Sequence, residues 1–291
     1  MTRGIYIVAN DRVIEQAITL VNSIRLYDPD LPIILIPFNQ DYQQVAKTLQ
    51  TKHQVELFPD LQLIETFTTQ VATIFPSDFL NLPNKMRKFV QWFGPLEEFL
   101  YIDTDIVVFQ PLSTILDYLT EYDFLCCDYH HKSKRLQDIF SPLVQEQNIF
   151  TPTELSDVFN SGFWASQQGL FSEDELYQLL EECAQHPEYF DFSSKTTDQP
   201  ILNYVVLKST KKRVNLTKNN PKEPGSWAGS THFVNKDYIL YDQEKRLRYL
   251  HWAGIAIKPG CPYWNIWKHY RYIGENSPKK WWNIAKYLGL K

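Results

Sequence analysis

Residues 99–109 of this 291-residue chain read FLYIDTDIVVF, two apolar runs on either side of a pair of aspartates. Runs rich in Val, Ile, Tyr and Phe are typical of buried β-strands. Because unpaired carboxylates are costly to bury, we expect the first strand to end at Asp103 and to present Asp103 and Asp105 at its carboxyl edge. Open α/β sheets bind ligands at that edge, and carboxylate oxygens suit Mn²⁺ or Mg²⁺. The stretch therefore predicts both a sheet and a metal site.

The same spacing recurs at Asp28-Pro29-Asp30, in different surroundings. There a proline separates a helical pattern from a strand, which is typical of a turn. A chain of this length holds roughly one Asp-x-Asp triplet by chance, so the spacing alone does not indicate a site. We interpret residues 28–30 as a turn and residues 103–105 as the metal site, with a solvated strand end as the alternative for the latter.

The composition argues against several classes of protein. The net charge of −5 disfavours nucleic acid as the main partner. No apolar run approaches transmembrane length and no signal peptide precedes the first strand at Gly4, so a cytoplasmic location is expected. The four cysteines lack metal-ligand spacing and are expected to be reduced. At 44% hydrophobic content, the chain can bury a large core.

The order of patterns predicts an α/β fold with a mostly parallel central sheet flanked by helices. The elements expected first are a strand at 4–9, a helix at 14–28, a strand at 31–38, a helix at 41–52 and a basic helix at 84–93. Those expected later are a helix at 112–119, strands at 123–127 and 159–165, helices at 172–186 and from 197, and a core segment at 249–254. Alternation of this kind implies parallel strands joined by right-handed crossovers.

Four short motifs resemble those of GT-A-fold glycosyltransferases, most closely family 8, which includes glycogenin and bacterial lipooligosaccharide galactosyltransferases. The motifs are YIDTDIVV at 101–108, FNSG at 159–162, TDQPILN at 197–203, and HWAG at 251–254 followed by Lys258-Pro259. Each is weak alone, and their order carries the resemblance. It implies a GT-A nucleotide-sugar-binding domain over residues 1–260, with a flap inserted at about 128–157.

The resemblance implies that Asp103, Asp105 and His251 hold the divalent metal, Mn²⁺ or Mg²⁺. A metal ion there would stabilise the diphosphate leaving group of a nucleotide sugar as a Lewis acid. By itself, a histidine at the end of an apolar strand is more often a core residue, and the following Trp-Ala-Gly favours the metal role. Lys258 is expected to meet the departing phosphate, although it lies one residue further from His251 than the family pattern has it.

The resemblance also implies which residues bind the donor and which are catalytic. The expected nucleotide- and donor-binding residues are Ala9, Asn10, Asp11, Lys88, Thr104, Asn160, Ser161, Gly254 and Lys258. Asp198 and Gln199 are the expected catalytic residues, with Gln199 close to the anomeric carbon. Helix capping is the alternative for the Asn10-Asp11 turn and for Asp198, and a solvated helix face is the alternative for Lys88.

The activity implied is metal-dependent transfer of a sugar from a nucleotide-diphosphate sugar, most simply a UDP-sugar, to a hydroxyl of a glycan, lipid-linked or small-molecule acceptor. Family 8 enzymes retain anomeric configuration. Front-face attack needs no protein nucleophile, whereas a double displacement would use Asp198 or Gln199. Two alternatives stay open: a nucleotidyltransferase, which the lack of glycine at residues 9–12 disfavours, and a non-catalytic sugar-nucleotide or glycan-binding module.

The C-terminal tail, residues 261–291, is basic and aromatic. Six Lys and Arg residues between Asn265 and Lys291 accompany a single acid, Glu275. After Pro278, apolar residues recur on one face of a predicted helix. Such a helix suits the headgroup region of an anionic membrane, which would place the protein peripherally on the inner face. Packing on the catalytic domain is the alternative.

Overall fold

The fold was obtained as a computed structural model, which describes residues 2–132, 139–190, 195–220 and 223–275. The strands in these residues are β1 (Arg3–Ala9), β2 (Ile33–Pro37), β3 (Glu56–Leu57), β4 (Glu98–Ile102), β5 (Ile106–Val108), β6 (Phe124–Cys126), β7 (Phe163–Gln167), β8 (Arg213–Asn215), β9 (Val234–Lys236), β10 (Ile239–Asp242), β11 (Lys245–Arg246) and β12 (Tyr249–His251). The α-helices are α1 (Ile14–Arg25), α2 (Gln43–His53), α3 (Leu61–Ile74), α4 (Ser113–Leu116), α5 (Leu143–Glu146), α6 (Pro152–Leu155), α7 (Glu173–Gln185), α8 (Asp198–Ser209), α9 (Leu216–Asn219) and α10 (Trp264–Arg271).

The central sheet has seven strands in the order β3-β2-β1-β4-β7-β6-β8. β1 runs parallel to β2 and β4, β2 to β3, and β6 to β8, whereas β7 is antiparallel to both of its neighbours. The predicted mostly parallel sheet flanked by helices is therefore confirmed. A second, three-stranded sheet has the order β11-β10-β9, and β5 pairs with β12 as a separate ribbon.

Both faces of the central sheet are buried, which explains why its strands read as continuous apolar runs. Along β1, Tyr6 packs into one core with Trp164, whereas Ile5 and Ile7 pack into the other core with α1. A third core lies under the three-stranded sheet and includes Trp252. Because both faces of the central sheet are covered, a ligand site is expected at the carboxyl edge of its strands.

Two sequence-based expectations about local structure are wrong. Pro83–Phe93 is a 3₁₀ segment instead of a basic α-helix. Within it Arg87 and Lys88 are buried, which excludes the solvated helix face given as the alternative for Lys88. The Arg87 guanidinium donates to the carboxylate of Glu65 at 2.9 Å. The strand expected from residue 159 begins only at Phe163, because the chain before it forms a turn at the sheet edge.

Parts of the predicted flap and tail are well packed in the described residues. Phe140 and Phe150, within the stretch interpreted as a flap, are buried in the same core as Trp164. In the tail, α10 packs on α1, and the side-chain amide of Asn22 donates to the carbonyl of Tyr270 at 2.8 Å. The membrane-facing helix expected after Pro278 lies outside the described residues. In the part of the chain that is described, no helix is both long and apolar enough to cross a bilayer.

Candidate functional site

The two aspartates of residues 103–105 lie in the turn between β4 and β5, at the carboxyl edge of the central sheet. β5 pairs antiparallel with β12, and this register places Ile106 opposite His251. The amide of Trp252 also donates to the carbonyl of Asp105 at 3.0 Å. Strand pairing therefore brings a histidine from late in the chain beside the aspartates.

Asp103, Asp105 and His251 each offer one ligand atom, and these atoms lie within 4.8 Å of one another. The His251 Nε2 atom is 3.2 Å from Asp105 Oδ1. The histidine is buried, whereas about a third of each aspartate side chain is exposed. Two carboxylate oxygens and one imidazole nitrogen suit Mn²⁺ well and leave coordination positions for a ligand.

The triad converges over Gly162, the last residue of the FNSG motif. A Cβ atom at this position would lie 2.5 Å from His251 Cε1 and 2.7 Å from Asp103 Oδ2. The backbone is also paired here, since the Asp103 amide donates to the Gly162 carbonyl at 2.8 Å. The three ligands can approach each other because this position lacks a side chain, so the residues present fit a metal ion.

The electrostatics of the triad are those of a tight ion pair. Burial disfavours the charged form of both groups. The negative charge of Asp105 outweighs this effect and raises the pKa of His251. His251 in turn holds the pKa of Asp105 below its usual range. The Tyr101 hydroxyl donates to Asp103 Oδ1 at 2.5 Å. Burial first, and then the charge of Asp103, raise the pKa of Tyr101 well above its ordinary value. The phenol therefore stays protonated and orients the Asp103 carboxylate.

A buried lysine connects the triad to α8. The Lys88 ammonium is 2.7 Å from Asp198 Oδ2 and 3.6 Å from Asp103 Oδ1. The Ser161 hydroxyl donates to the same Asp198 oxygen at 2.9 Å. Burial works to lower the pKa of Lys88, but Asp103 and Asp198 outweigh it and raise that pKa. Lys88 is therefore a fixed positive charge beside the candidate metal position.

Gln199, the second expected catalytic residue, takes part in a neighbouring network. Its side-chain oxygen accepts from the Asn160 amide group at 3.0 Å and from the Ser161 backbone amide at 3.2 Å. Asn160 in turn accepts from the Gly162 backbone amide at 3.0 Å. The FNSG and TDQPILN motifs are thus joined by side-chain hydrogen bonds directly behind the triad.

A cleft of about 420 Å³ opens between the end of β1 and the triad. Of the residues expected at the site, it is lined by Ala9, Asn10, Lys88, Asp103, Thr104, Asp105, Ser161 and Asp198. The lining residues that sequence reasoning missed are Val8, Val13, Gln16, Phe38, Tyr101, Ile255, Ala256 and Ile257. Lys85, from the basic segment expected at 84–93, also lines the cleft. The run 255–257 follows the HWAG motif directly, and that adjacency was the available signal.

Four expected donor-binding residues, Asp11, Asn160, Gly254 and Lys258, are not among the described residues that line this cleft. Asn160 lines a second cavity. The Asp11 carboxylate accepts from the backbone amide of Val45 at 2.7 Å and so caps the start of α2. Lys258 is exposed, beyond the buried Ile257. Gly254 lies in the turn after β12 with φ of +72°, a conformation that favours glycine.

A second cavity, of about 730 Å³, is lined by His251 and Asn160, which do not line the first. Its wall includes Asp128, which sequence reasoning missed. Burial raises the pKa of Asp128 to about 6, against hydrogen bonds from the backbone amides of His130 and Asn160. Asp128 closely follows β6, which has the same direction as β4, so the rule that identified Asp103 could also have identified it.

No protein-family model and no curated protein sequence match this chain. Among solved structures, the apo bifunctional glycosyltransferase WbbM is similar with a TM-score of 0.63 at 15% identity. The match covers 98% of this chain and 51% of WbbM, so the chain spans about half the length of that protein.

Two further structures are similar over most of their own length. The galactosyltransferase LgtC, in complex with donor and acceptor sugar analogues, has a TM-score of 0.59 at 13% identity, covering 96% of this chain and 99% of LgtC. Mouse xyloside xylosyltransferase 1 has a TM-score of 0.52 at 13% identity, covering 73% of this chain and 84% of that one. At these identities the likeness shows the fold, and it confirms the predicted GT-A fold.

Proposed function

We propose that this protein is a metal-dependent glycosyltransferase that moves a sugar from a UDP-sugar to an acceptor hydroxyl with retention of configuration. The observation that carries the proposal is the position of the Asp103–Asp105–His251 triad between two cavities. One cavity has a volume of about 420 Å³, and the other, of about 730 Å³, is lined by aromatic and hydrogen-bonding side chains. The similar structures are glycosyltransferases, and LgtC was solved with donor and acceptor sugar analogues, which supports the same division here.

In this proposal the 420 Å³ cleft holds the donor nucleotide. Asn10 is a buried polar side chain among Val13 and Phe38, a combination that suits the edge and face of a base. Asp103, Asp105 and His251 would hold Mn²⁺ or Mg²⁺, which supplies Lewis-acid stabilisation of the diphosphate when bound.

Lys88 and Asp198 would act on the donor sugar and its phosphate. Lys88 is a buried cation whose partners are two carboxylates, so it adds fixed positive charge where the leaving group becomes more negative. Lys88 and Ser161 bind the Oδ2 atom of Asp198, and the Lys85 ammonium lies 3.8 Å from its Oδ1 atom. Because both oxygens have partners, a positioning role is favoured over attack on the sugar. Front-face attack, with the leaving phosphate accepting the proton, is therefore the mechanism we favour.

The decisive experiment is a screen of nucleotide sugars for Mn²⁺-dependent release of free nucleotide. We expect one UDP-sugar to be cleaved slowly in water and faster with an acceptor, and NMR of the transferred sugar to show retention. The Asp105→Asn variant is the inactive control. Binding of UDP without cleavage of any nucleotide sugar would instead identify a binding module, and formation of a nucleotide sugar from a sugar phosphate would identify a nucleotidyltransferase.

The peripheral membrane contact is a separate proposal that depends on the tail. Cosedimentation with vesicles containing anionic phosphatidylglycerol tests it, since binding should fall with added salt. Deletion of residues 278–291 should abolish vesicle binding and leave nucleotide release intact. A full-length protein that ignores such vesicles would contradict a membrane contact.

A further inference from the structure

The wall of the 730 Å³ cavity carries an exposed indole, that of Trp227. This side chain is 53% exposed, more than any other large aromatic side chain in the described residues. Exposed aromatic rings are ordinary on protein surfaces when they are single and mobile. Trp227 differs because it shares a cavity with a candidate metal ligand.

Two contacts hold the ring of Trp227 in place, and a third holds the main chain beside it. Its indole N–H donates to the carbonyl of Ala253 at 3.0 Å. One part of the ring covers Gly229 so closely that a Cβ atom at that glycine would overlap it. The flanking main chain pairs with the metal ligand, since the His251 amide donates to the Ser226 carbonyl at 2.7 Å. The indole is therefore a rigid surface at a fixed place beside the triad.

The remaining lining of the cavity combines two tyrosines, Tyr129 and Tyr249, with polar side chains of both charges. The polar side chains include Asp128, His130, Asn160, Ser226, Ser230, His232 and Asp242. The ammonium of Lys132, which also lines the cavity, lies 4.3 Å from the centre of the Tyr129 ring. The cavity also contains two carboxylates, those of Asp128 and Asp242. A phosphate group would require a cluster of cations, which this part of the described structure does not provide.

A flat apolar surface facing hydrogen-bonding groups is complementary to a pyranose ring. Such a ring has a face of C–H groups, which packs on an aromatic plane, and a rim of hydroxyls, which need donors and acceptors. We infer that Trp227 stacks on the acceptor, and that the acceptor presents a neutral sugar ring to this cavity. This inference rests on the proposed function and specifies its acceptor class.

Binding can be measured without turnover by saturation-transfer difference NMR on the full-length chain. The probes are the methyl glycosides of glucose, galactose and mannose, together with lactose, in the presence of UDP and diamagnetic Mg²⁺. We expect at least one probe to receive saturation on its ring C–H protons. Trp227→Ala should lower the affinity for that probe about tenfold, which is the upper range for one aromatic contact. Trp227→Phe should recover part of the lost affinity.

Two controls separate recognition of the acceptor from a structural role. Tyr118→Ala removes another aromatic side chain, 40% exposed and outside both cavities, and should leave sugar binding unchanged. Calorimetry of UDP with Mg²⁺ should give the same affinity for Trp227→Ala as for the parent. A parallel loss of UDP affinity would make Trp227 a structural residue and overturn the inference.

The inference is also overturned if no neutral glycoside binds, or if a tyrosine-containing peptide binds in its place. Because these measurements need no catalysis, they can fail while nucleotide-sugar cleavage succeeds. Conversely, if the protein binds glycosides at Trp227 but cleaves no nucleotide sugar, the sugar site is supported and the proposed transferase activity is contradicted.

Discussion

The aspartate triplets at 28–30 and 103–105 have the same spacing, and the fold uses them in opposite ways. The buried Asp28 carboxylate accepts from the backbone amide of Leu112 at 2.5 Å and from the hydroxyl of Ser113 at 2.6 Å. Those donors lie at the start of α4, so the aspartate fixes one segment of chain to another. Its charge is used entirely within the fold.

At the second triplet, the carboxylates of Asp103 and Asp105 line the 420 Å³ cleft. Asp103 accepts from the Tyr101 hydroxyl, and Asp105 pairs with His251 at 3.2 Å. Both aspartates remain about one-third exposed. Under the proposed function, the second triplet can hold a metal ion because its carboxylates are not used up by backbone donors from another segment and because His251 supplies a third ligand.

Asp105→Ala should have the largest effect, complete loss of nucleotide–metal binding. UDP and Mn²⁺ at a hundred times the dissociation constant should stabilise the parent protein by about 2.7 kcal/mol. In a domain of this size that corresponds to a rise in melting temperature of about 5 °C. Differential scanning fluorimetry measures the shift, and Asp30→Ala, an exposed position of the other triplet, is the matched control. An unchanged shift in Asp105→Ala would refute the metal assignment.

Gly162→Ala should reduce metal affinity by about ten- to a hundredfold, the usual range for residues that position metal ligands. Its added Cβ would press on His251 and Asp103 while leaving the backbone conformation accessible, since Gly162 has no positive φ. Competition between Mn²⁺ and a fluorescent chelator gives the affinity. The exposed Gly169, with nothing within 4 Å of an added Cβ, is the steric control, although its φ of +70° adds strain. Parent-like affinity in Gly162→Ala would mean that the ligands adjust freely.

Asp28→Ala should leave metal binding intact and lower the free energy of unfolding by about 2 kcal/mol, because two donors at the start of α4 lose their acceptor. Urea unfolding measures the loss. Asp30→Ala should change stability by less than about 0.5 kcal/mol, as expected for an exposed side chain. The interpretation of the first triplet as purely structural fails if Asp28→Ala weakens the UDP–Mn²⁺ shift.

Tyr101→Phe should lower the affinity for Mn²⁺ about tenfold, because it removes the hydroxyl that orients Asp103. The free energy of unfolding should change much less, because the variant keeps the buried ring. The ring itself packs against Trp164, so the fold has reason to tolerate the change. The chelator competition described for Gly162 applies here. Equal losses of stability and affinity would indicate a packing role for the hydroxyl.

Two histidines, the half-buried His53 and the buried His251, extend the comparison to pH. They should give the smallest effect, on the order of 1 kcal/mol after allowance for solvent screening. Near the first triplet, burial, then Arg25 and Lys52, lower the pKa of His53 to about 4. The unfolded chain then binds more protons, so stability falls as the pH decreases from about 6.5 toward 4. Burial of His251 is outweighed by Asp105, so its raised pKa stabilises the metal-free fold at low pH and loses that contribution as the pH rises.

Urea unfolding of the metal-free protein at pH 5 and pH 7 tests both signs. His53→Gln should reduce the loss of stability between pH 7 and pH 5, and His251→Gln should increase it. The assignment of opposite environments is contradicted if the two variants change the pH dependence in the same direction.

Much of the fold followed from local pattern alone. The alternation of apolar strands with helical periodicity predicted the mostly parallel sheet, and the apolar runs around residues 103–105 predicted aspartates at its carboxyl edge. The order of the four motifs pointed to the GT-A fold. These features were readable because periodicity, turns and short motifs are properties of neighbouring residues along the chain.

Only the tertiary structure decided which polar residues face the site. Asn10 lines the 420 Å³ cleft while the adjacent Asp11 caps α2, and Lys88 is buried against Asp198 instead of solvated. Strand pairing with β12 decides two further features, the need for a glycine at position 162 and the exposure of the Trp227 ring. Register between segments distant in sequence sets these contacts, and no pattern within either segment records it.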